Sequence, residues 1–201
     1  MFRIEELTLY DMNDNTFTYE FKDGLNYFRG KNSSGKTEFY NFIDFMFGSS
    51  ENIKDKICFK DSLKKASMKI FVNGISYVLT RYDDPKINSL EYAYSEVGEI
   101  IDLREYKDKL NSIFTKDIDF LKQIRNFTGE ELTYRTFTMF NFLGEKGQGK
   151  IVDFFDKCES IKYSVKLMPI LNFIFNSNTE RINKLQKRLD ELKKRRNSLE
   201  Q

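Results

Sequence analysis

Apolar and polar side chains alternate through FRIEELTLY (residues 2–10) and TFTYEF (16–21), which read as strands on either side of the turn-rich DMNDN. LNYF (25–28) follows Lys22-Asp23-Gly24 and is more continuously apolar, so it predicts a third, more deeply buried strand. From Thr37 to Phe47 the period changes. Phe39, Tyr40, Phe42, Ile43, Phe45, Met46 and Phe47 cover most of a helix surface, the pattern of an interior helix. KIFVNGISYVLTRY (69–82) sets Asn73-Gly74 between two alternating runs, a strong short hairpin signal because both turn positions need positive φ. LEYAYS (90–95) and EIIDL (99–103) are expected to extend that antiparallel sheet. REYKDKLNSIF (104–114) reads as a helix, and LTYRTFTMFNFL (132–143) as a helix end running into a buried strand.

Composition narrows the class. A chain of 201 residues with 40% hydrophobic content can bury a sizeable core, and the expected plan is one compact domain with an appendage. The 33 basic and 31 acidic side chains nearly cancel, so nucleic-acid binding through a global basic field is excluded and any such contact is local. Histidine is absent, and Cys58 and Cys158 stand apart without a C-x-x-C, which argues against a zinc site or disulfide framework; both read as small buried hydrophobes. No apolar run reaches the roughly 20 residues of a membrane helix and no basic-then-apolar leader opens the chain, so a cytoplasmic protein without membrane contact is expected.

The chemistry concentrates between LNYF and the interior helix. Gly30-Lys31-Asn32-Ser33-Ser34-Gly35-Lys36-Thr37 is a complete G-x-x-x-x-G-K-[ST] phosphate-binding loop, placed after a predicted strand and at the mouth of a predicted helix. Chance alone would match these positions in about one chain of this size in a hundred. Backbone N–H groups in such a loop converge on a phosphate, and the helix N-terminus adds partial positive charge. Lys36 is the residue to reach β- and γ-phosphates, and the Thr37 hydroxyl is a ligand for Mg²⁺. Neither D-x-x-G nor N-K-x-D follows, which argues against guanine specificity. The acids nearest to a metal-holding strand end are Asp44, Asp119 and Asp153, and each lacks the preceding apolar run or lies on a predicted helix. No catalytic residue is therefore assigned.

From Asn176 the chain turns polar, and Ile182, Leu185, Leu189, Leu192 and Leu199 fall at spacings of three and four, with Arg196 in one seam position. About three heptads of coiled coil are predicted, and a helix so polar implies a partner helix. The chain stops at Gln201 without a cap or breaker, as a piece of a longer polypeptide would.

An N-terminal phosphate loop, GKNSSGKT, with an NG hairpin sheet behind it and an outgoing coil about 140 residues later, resembles the SMC/Rad50 family of ABC-type ATPase heads. The resemblance implies an α/β fold: the N-terminal lobe of a P-loop NTPase head with an antiparallel β subdomain (1–176), then the start of an antiparallel coiled-coil arm (177–201). The family's second glycine after Asn is Ser33 here, a departure that related RecF- and OLD-like ATPases would also tolerate. The expected nucleotide site comprises Gly30, Asn32, Ser33, Ser34, Gly35, Lys36 and Thr37, with ATP and Mg²⁺ as cofactors. Thr37 and a Q-loop residue, Asn141 or Gln148, would hold the metal. Arg81 resembles a basic residue often found after the hairpin strand, although a surface arginine is the expectation. By the same resemblance the partners are the chain's own C-terminal lobe, a second head in a homodimer, DNA, and an accessory nuclease or other subunit.

Two function classes follow. One is an ATPase head that dimerises on ATP and acts on DNA in repair, chromosome organisation or anti-phage defence. The other is a nucleotide-gated scaffold in which turnover is incidental; an OLD- or RecF-like ATPase is a third reading. Between Glu180 and Glu200 eight basic side chains stand against four acids, and Lys193, Lys194 and Arg195 are the expected DNA contacts.

Overall fold

Strand β1 (Phe2–Asp11) lies between β2 (Thr16–Glu20) and β3 (Leu63–Val72), and the sheet continues through β4 (Ile75–Tyr82) to β5 (Asn88–Tyr92). The computed structural model describes residues 2–52, 60–95, 98–114, 133–136, 161–175 and 179–199. All four neighbouring pairs run antiparallel, in the order β2-β1-β3-β4-β5. The Asn73-Gly74 turn has φ of 50° and 93°, which lets Val72 pair with Ile75 and sets the β3–β4 register. β1 tolerates two register shifts against β3, between Ile4 and Glu6 and between Tyr10 and Asp11.

Alternation divides the sheet into two faces. Leu7, Ala66, Met68, Ile70 and Leu79 are fully shielded on the inner one. Helices α1 (Lys36–Met46) and α2 (Leu103–Phe114) add Phe42, Phe45 and Met46, and Tyr106, Leu110 and Ile113, to the buried set. The outer face is polar. Cross-strand register aligns Thr18, Thr8, Ser67, Thr80 and Ser89 in one row, with hydroxyl contacts of 3.0 Å between Thr8 and Thr18 and 3.0 Å between Ser67 and Thr80.

Residues 1–114 form one compact unit and 115–201 a second. In the second, residues 134–136 make a helical turn with Tyr134 and Thr136 buried, as the reading of LTYRTF expected; 137–143 lie outside the described residues. Helices α3 (Ile161–Phe175) and α4 (Thr179–Leu199) follow. The polar C-terminal stretch is thus helical, and Leu185, Leu189, Leu192 and Leu199 are at least half exposed along it. Among the described residues no helix is long and apolar enough to cross a membrane.

Two expectations fail. LNYF is not a strand: residues 25–28 form no ladder, and Leu25 and Tyr27 are 95% and 84% exposed. A strand buried on both faces needs neighbours to accept its N–H and C=O groups. The described sheet ends at β2 on one side and β5 on the other, and 25–28 joins neither. EIIDL is also not a strand. Ile101 makes a single bridge to Asn88, and the chain then enters α2 at Leu103.

Candidate phosphate-binding site

The loop predicted from sequence is an exposed turn leading straight into α1. Gly35 is the N-cap, with φ 82° and ψ 11°, a left-handed conformation open to glycine at little cost. Ser33 also takes a positive φ, 61°. An L residue there carries a steric penalty, as is common where a loop's shape serves a purpose. Gly30 is constrained by space instead: a Cβ at that position would stand 2.3 Å from Ser34 Oγ, so the Ser34 side chain would have to move. The two glycines of the motif thus meet separate demands, one of dihedral angle and one of space.

Lys36 turns back over the loop. Its Nζ donates to the carbonyl of Gly30 at 2.9 Å, the carbonyl of Lys31 at 2.7 Å and Ser34 Oγ at 3.4 Å. Ser34 N–H donates to the Lys31 carbonyl at 3.3 Å, which closes the turn, and Phe39 N–H reaches the Gly35 carbonyl at 2.8 Å to start the helix. The sequence therefore brings Gly30, Ser34, Gly35 and Lys36 into one small unit. Asn32, Ser33 and Thr37 are exposed on the same loop and first turn. Because Gly35 has no side chain to cap the helix, the first-turn amides keep their role as a positive terminus.

An aromatic cluster braces the loop from both ends. Phe28, two residues before Gly30, lies 5.0 Å from the ring of Phe39 in the first turn of α1, and Tyr19 on β2 lies 4.9 Å from the same ring. Phe21 completes the group at 5.8 Å from Phe28. No spacing rule in the sequence announces this cluster, since its members come from β2, the residue just after it, the loop approach and α1.

The other end of α1 corrects a further expectation. Arg81 is not a surface arginine; it is fully buried. Its Nε donates to Asn88 Oδ1 at 2.9 Å, and Nη1 donates to the carbonyls of Phe45 and Ser49, the latter at 2.8 Å. The guanidinium also lies 3.9 Å from the Phe45 ring centroid. A cation belongs at a helix C-terminus, where carbonyls concentrate partial negative charge. The sequence signal that pointed to this residue was its position on the strand after the hairpin, but nothing in the sequence joined it to α1.

The remaining predicted site residues divide. Asp44 lies on α1, as its sequence context indicated, and not at a strand end. Lys193, Lys194 and Arg195 are exposed on α4. Asn141, Gln148, Asp119, Asp153, Cys58 and Cys158 lie outside the described residues.

No family model matches the sequence, and no curated protein matches it. Ten chains among solved structures do match. One of them comes from work on the structural biochemistry of ATP-driven dimerization and DNA-stimulated activation of SMC ATPases; it is 20% identical, the match covers 57% of this chain and 81% of that one, and the TM-score is 0.39. The likeness is distant. The candidate site rests on its own geometry.

Proposed function

We propose that residues 30–37 bind the phosphates of ATP with Mg²⁺ and that the chain is the nucleotide-binding half of an SMC/Rad50-like ATPase head. The observation that carries this reading is the Lys36 ammonium held against the Gly30 and Lys31 carbonyls, in a loop whose left-handed Gly35 opens directly into α1. A lysine so placed is in reach of a phosphate seated on the loop, and phosphate oxygens would compete with those carbonyls for it. In this reading Gly30, Asn32, Ser33, Ser34 and Gly35 supply the cradle, and Thr37 supplies a metal ligand. Asn141 or Gln148 would supply another.

The exposed LNYF segment supports a missing partner. Residues with the pattern of a buried strand, 95% and 84% exposed at Leu25 and Tyr27, suit a lobe that is completed by further strands. On this reading residues 1–176 are that lobe and 177–201 the root of a coiled arm with its leucine seam open to a returning helix. Turnover then belongs to the completed head and a second copy, with ATP sealed between them, DNA lying near the arm roots, and a nuclease or other subunit as an accessory. The setting is the cytoplasm. The scaffold reading, in which ATP gates partner binding, draws on the position of Asp44 within α1, where it cannot serve as the strand-end acid of a hydrolytic site.

Calorimetry of this chain with ATP-Mg tests the proposal. Weak binding that Lys36→Ala abolishes is expected, and undiminished affinity in that variant would overturn the assignment. Appreciable hydrolysis by the monomeric chain would overturn the split-site part.

A further inference from the structure

We propose that Arg81 is a positioning residue for the phosphate loop, acting through the far end of α1. The inference rests on the reading of the loop as an ATP site and deepens it. Three elements converge on the last turn of the helix. From β4, Arg81 donates to the carbonyls of Phe45 and Ser49; from β5, Asn88 accepts from Arg81; from α2, the Tyr106 hydroxyl donates to the carbonyl of Met46 at 2.6 Å. Arg81 and Tyr106 are both fully shielded, and the guanidinium sits 5.6 Å from the Tyr106 ring centroid.

Core packing alone does not call for an ion here. Taking a guanidinium out of water is costly, and an apolar side chain would fill the space without that cost. A guanidinium that gives Nη1 to the carbonyls of Phe45 and Ser49 and Nε to Asn88 achieves something a leucine cannot: it ties the end of α1 and the chain just beyond it to β5. Helix α1 has 11 residues. At 1.5 Å per residue it is a rod of about 16 Å, and holding one end limits where the other points. The approach to the loop, residues 25–28, belongs to no ladder, so α1 and the aromatic cluster are what locate the loop on the sheet. A phosphate drawing on the first-turn amides pulls along the same axis that the clamp holds. By linkage, a clamp that favours the binding geometry is itself tightened by nucleotide.

The test combines ATP-Mg calorimetry with hydrogen exchange on the wild type, Arg81→Lys, Asn88→Ala and Tyr106→Phe, using Lys36→Ala as the control. In the wild type, ATP is expected to slow exchange at the Phe47 and Gly48 amides, at the far end of α1. Arg81→Lys keeps the charge but has no second nitrogen to bond Asn88 while it bonds the carbonyls of Phe45 and Ser49; it should bind ATP about tenfold more weakly and lose that remote protection while circular dichroism still reports a folded chain. Asn88→Ala, which touches Arg81 and not α1, should give a smaller loss in the same direction. If Arg81→Lys does not fold, Asn88→Ala and Tyr106→Phe provide the same comparison. Folded variants that bind ATP within twofold of the wild type and keep the remote protection would overturn the proposal. If the wild type itself fails to bind ATP, the loop reading falls, and exchange at the Phe39 amide, which bonds the Gly35 carbonyl, still decides the clamp without nucleotide: a rate unchanged by Arg81→Lys would overturn it.

Discussion

The hydroxyl of Tyr106 on α2 donates to the main-chain carbonyl of Met46, the last residue of α1, at 2.6 Å and with both residues fully buried. Removing the hydroxyl leaves that carbonyl in the core without its donor. Tyr106→Phe should therefore destabilise the chain by about 1–3 kcal/mol, read as a lower urea midpoint at unchanged slope. A fall in slope would instead mean that the variant unfolds less cooperatively.

The same tyrosine makes a prediction in alkali. Burial raises its phenol above the ordinary value of 10.0, and the nearby Arg81 cation offsets only part of that rise. In the unfolded chain the phenol releases its proton near the ordinary value, while the native state retains it. Raising the pH through 10 thus favours unfolding, and the contribution is fully present only below that value. Tyr106→Phe removes this slope, so the two stability curves should converge as the pH climbs above 10. Parallel curves would show that the phenol titrates alike in both states.

Glu5 gives the opposite sign. Burial by itself would raise its carboxyl, but the Arg3 side chain, the Lys69 ammonium and the Ser76 hydroxyl outweigh it and hold the group below its ordinary 4.5. Its stabilising contribution is present above that value and is lost as the pH falls through the native titration. Glu5→Gln should cost about 0.5–1 kcal/mol at neutral pH, given the partly exposed partners, and almost nothing once the carboxyl is protonated in both states. Acid-unfolding curves of the two proteins measure the difference.

The two loop glycines should fail in distinguishable ways. Gly35→Ala forces a side chain into the left-handed region at φ 82°, and about 1–2 kcal/mol of strain is expected with no neighbouring atom to blame. Gly30→Ala meets Ser34 Oγ and is relieved only if that side chain moves. Adding Ser34→Ala removes Oγ and leaves Cβ at 3.2 Å, so it should recover part of the Gly30→Ala loss and none of the Gly35→Ala loss. Thermal melts of the singles and doubles decide it, and equal rescue in both would show the two sites to be coupled.

Along α4, Lys193, Lys194 and Arg195 are exposed together. If they meet phosphates, reversing all three to Glu should weaken binding to duplex DNA and flatten the plot of log affinity against log salt by about 2–3 units, at roughly 0.9 per contact. An unchanged slope would place any DNA elsewhere.

Local rules made much of this protein legible. The Asn73-Gly74 hairpin could be read because its turn is specified by the two residues that occupy it. Helix α2 could be read because its polar face and its buried Tyr106, Leu110 and Ile113 repeat within one segment. The turn into α1 was legible for the same reason: Gly30 and Lys36 meet across six positions, and Gly35 takes the left-handed conformation that glycine permits.

What only the tertiary structure decided involves partners distant in the chain. LNYF carries the composition of a buried strand, but a strand is made by its neighbours, and no described strand lies beside it. Arg81 reads as a surface cation because charge is costly to bury; it is buried here because carbonyls 32 and 36 positions away, at Ser49 and Phe45, turn the helix end toward it. Sequence determines which side chains suit a turn, a helix face or a phosphate cradle, since those interactions close within a few residues. Whether an apolar segment is covered, or a charge compensated, depends on which distant groups the fold delivers to it, and that is settled only when the chain has packed.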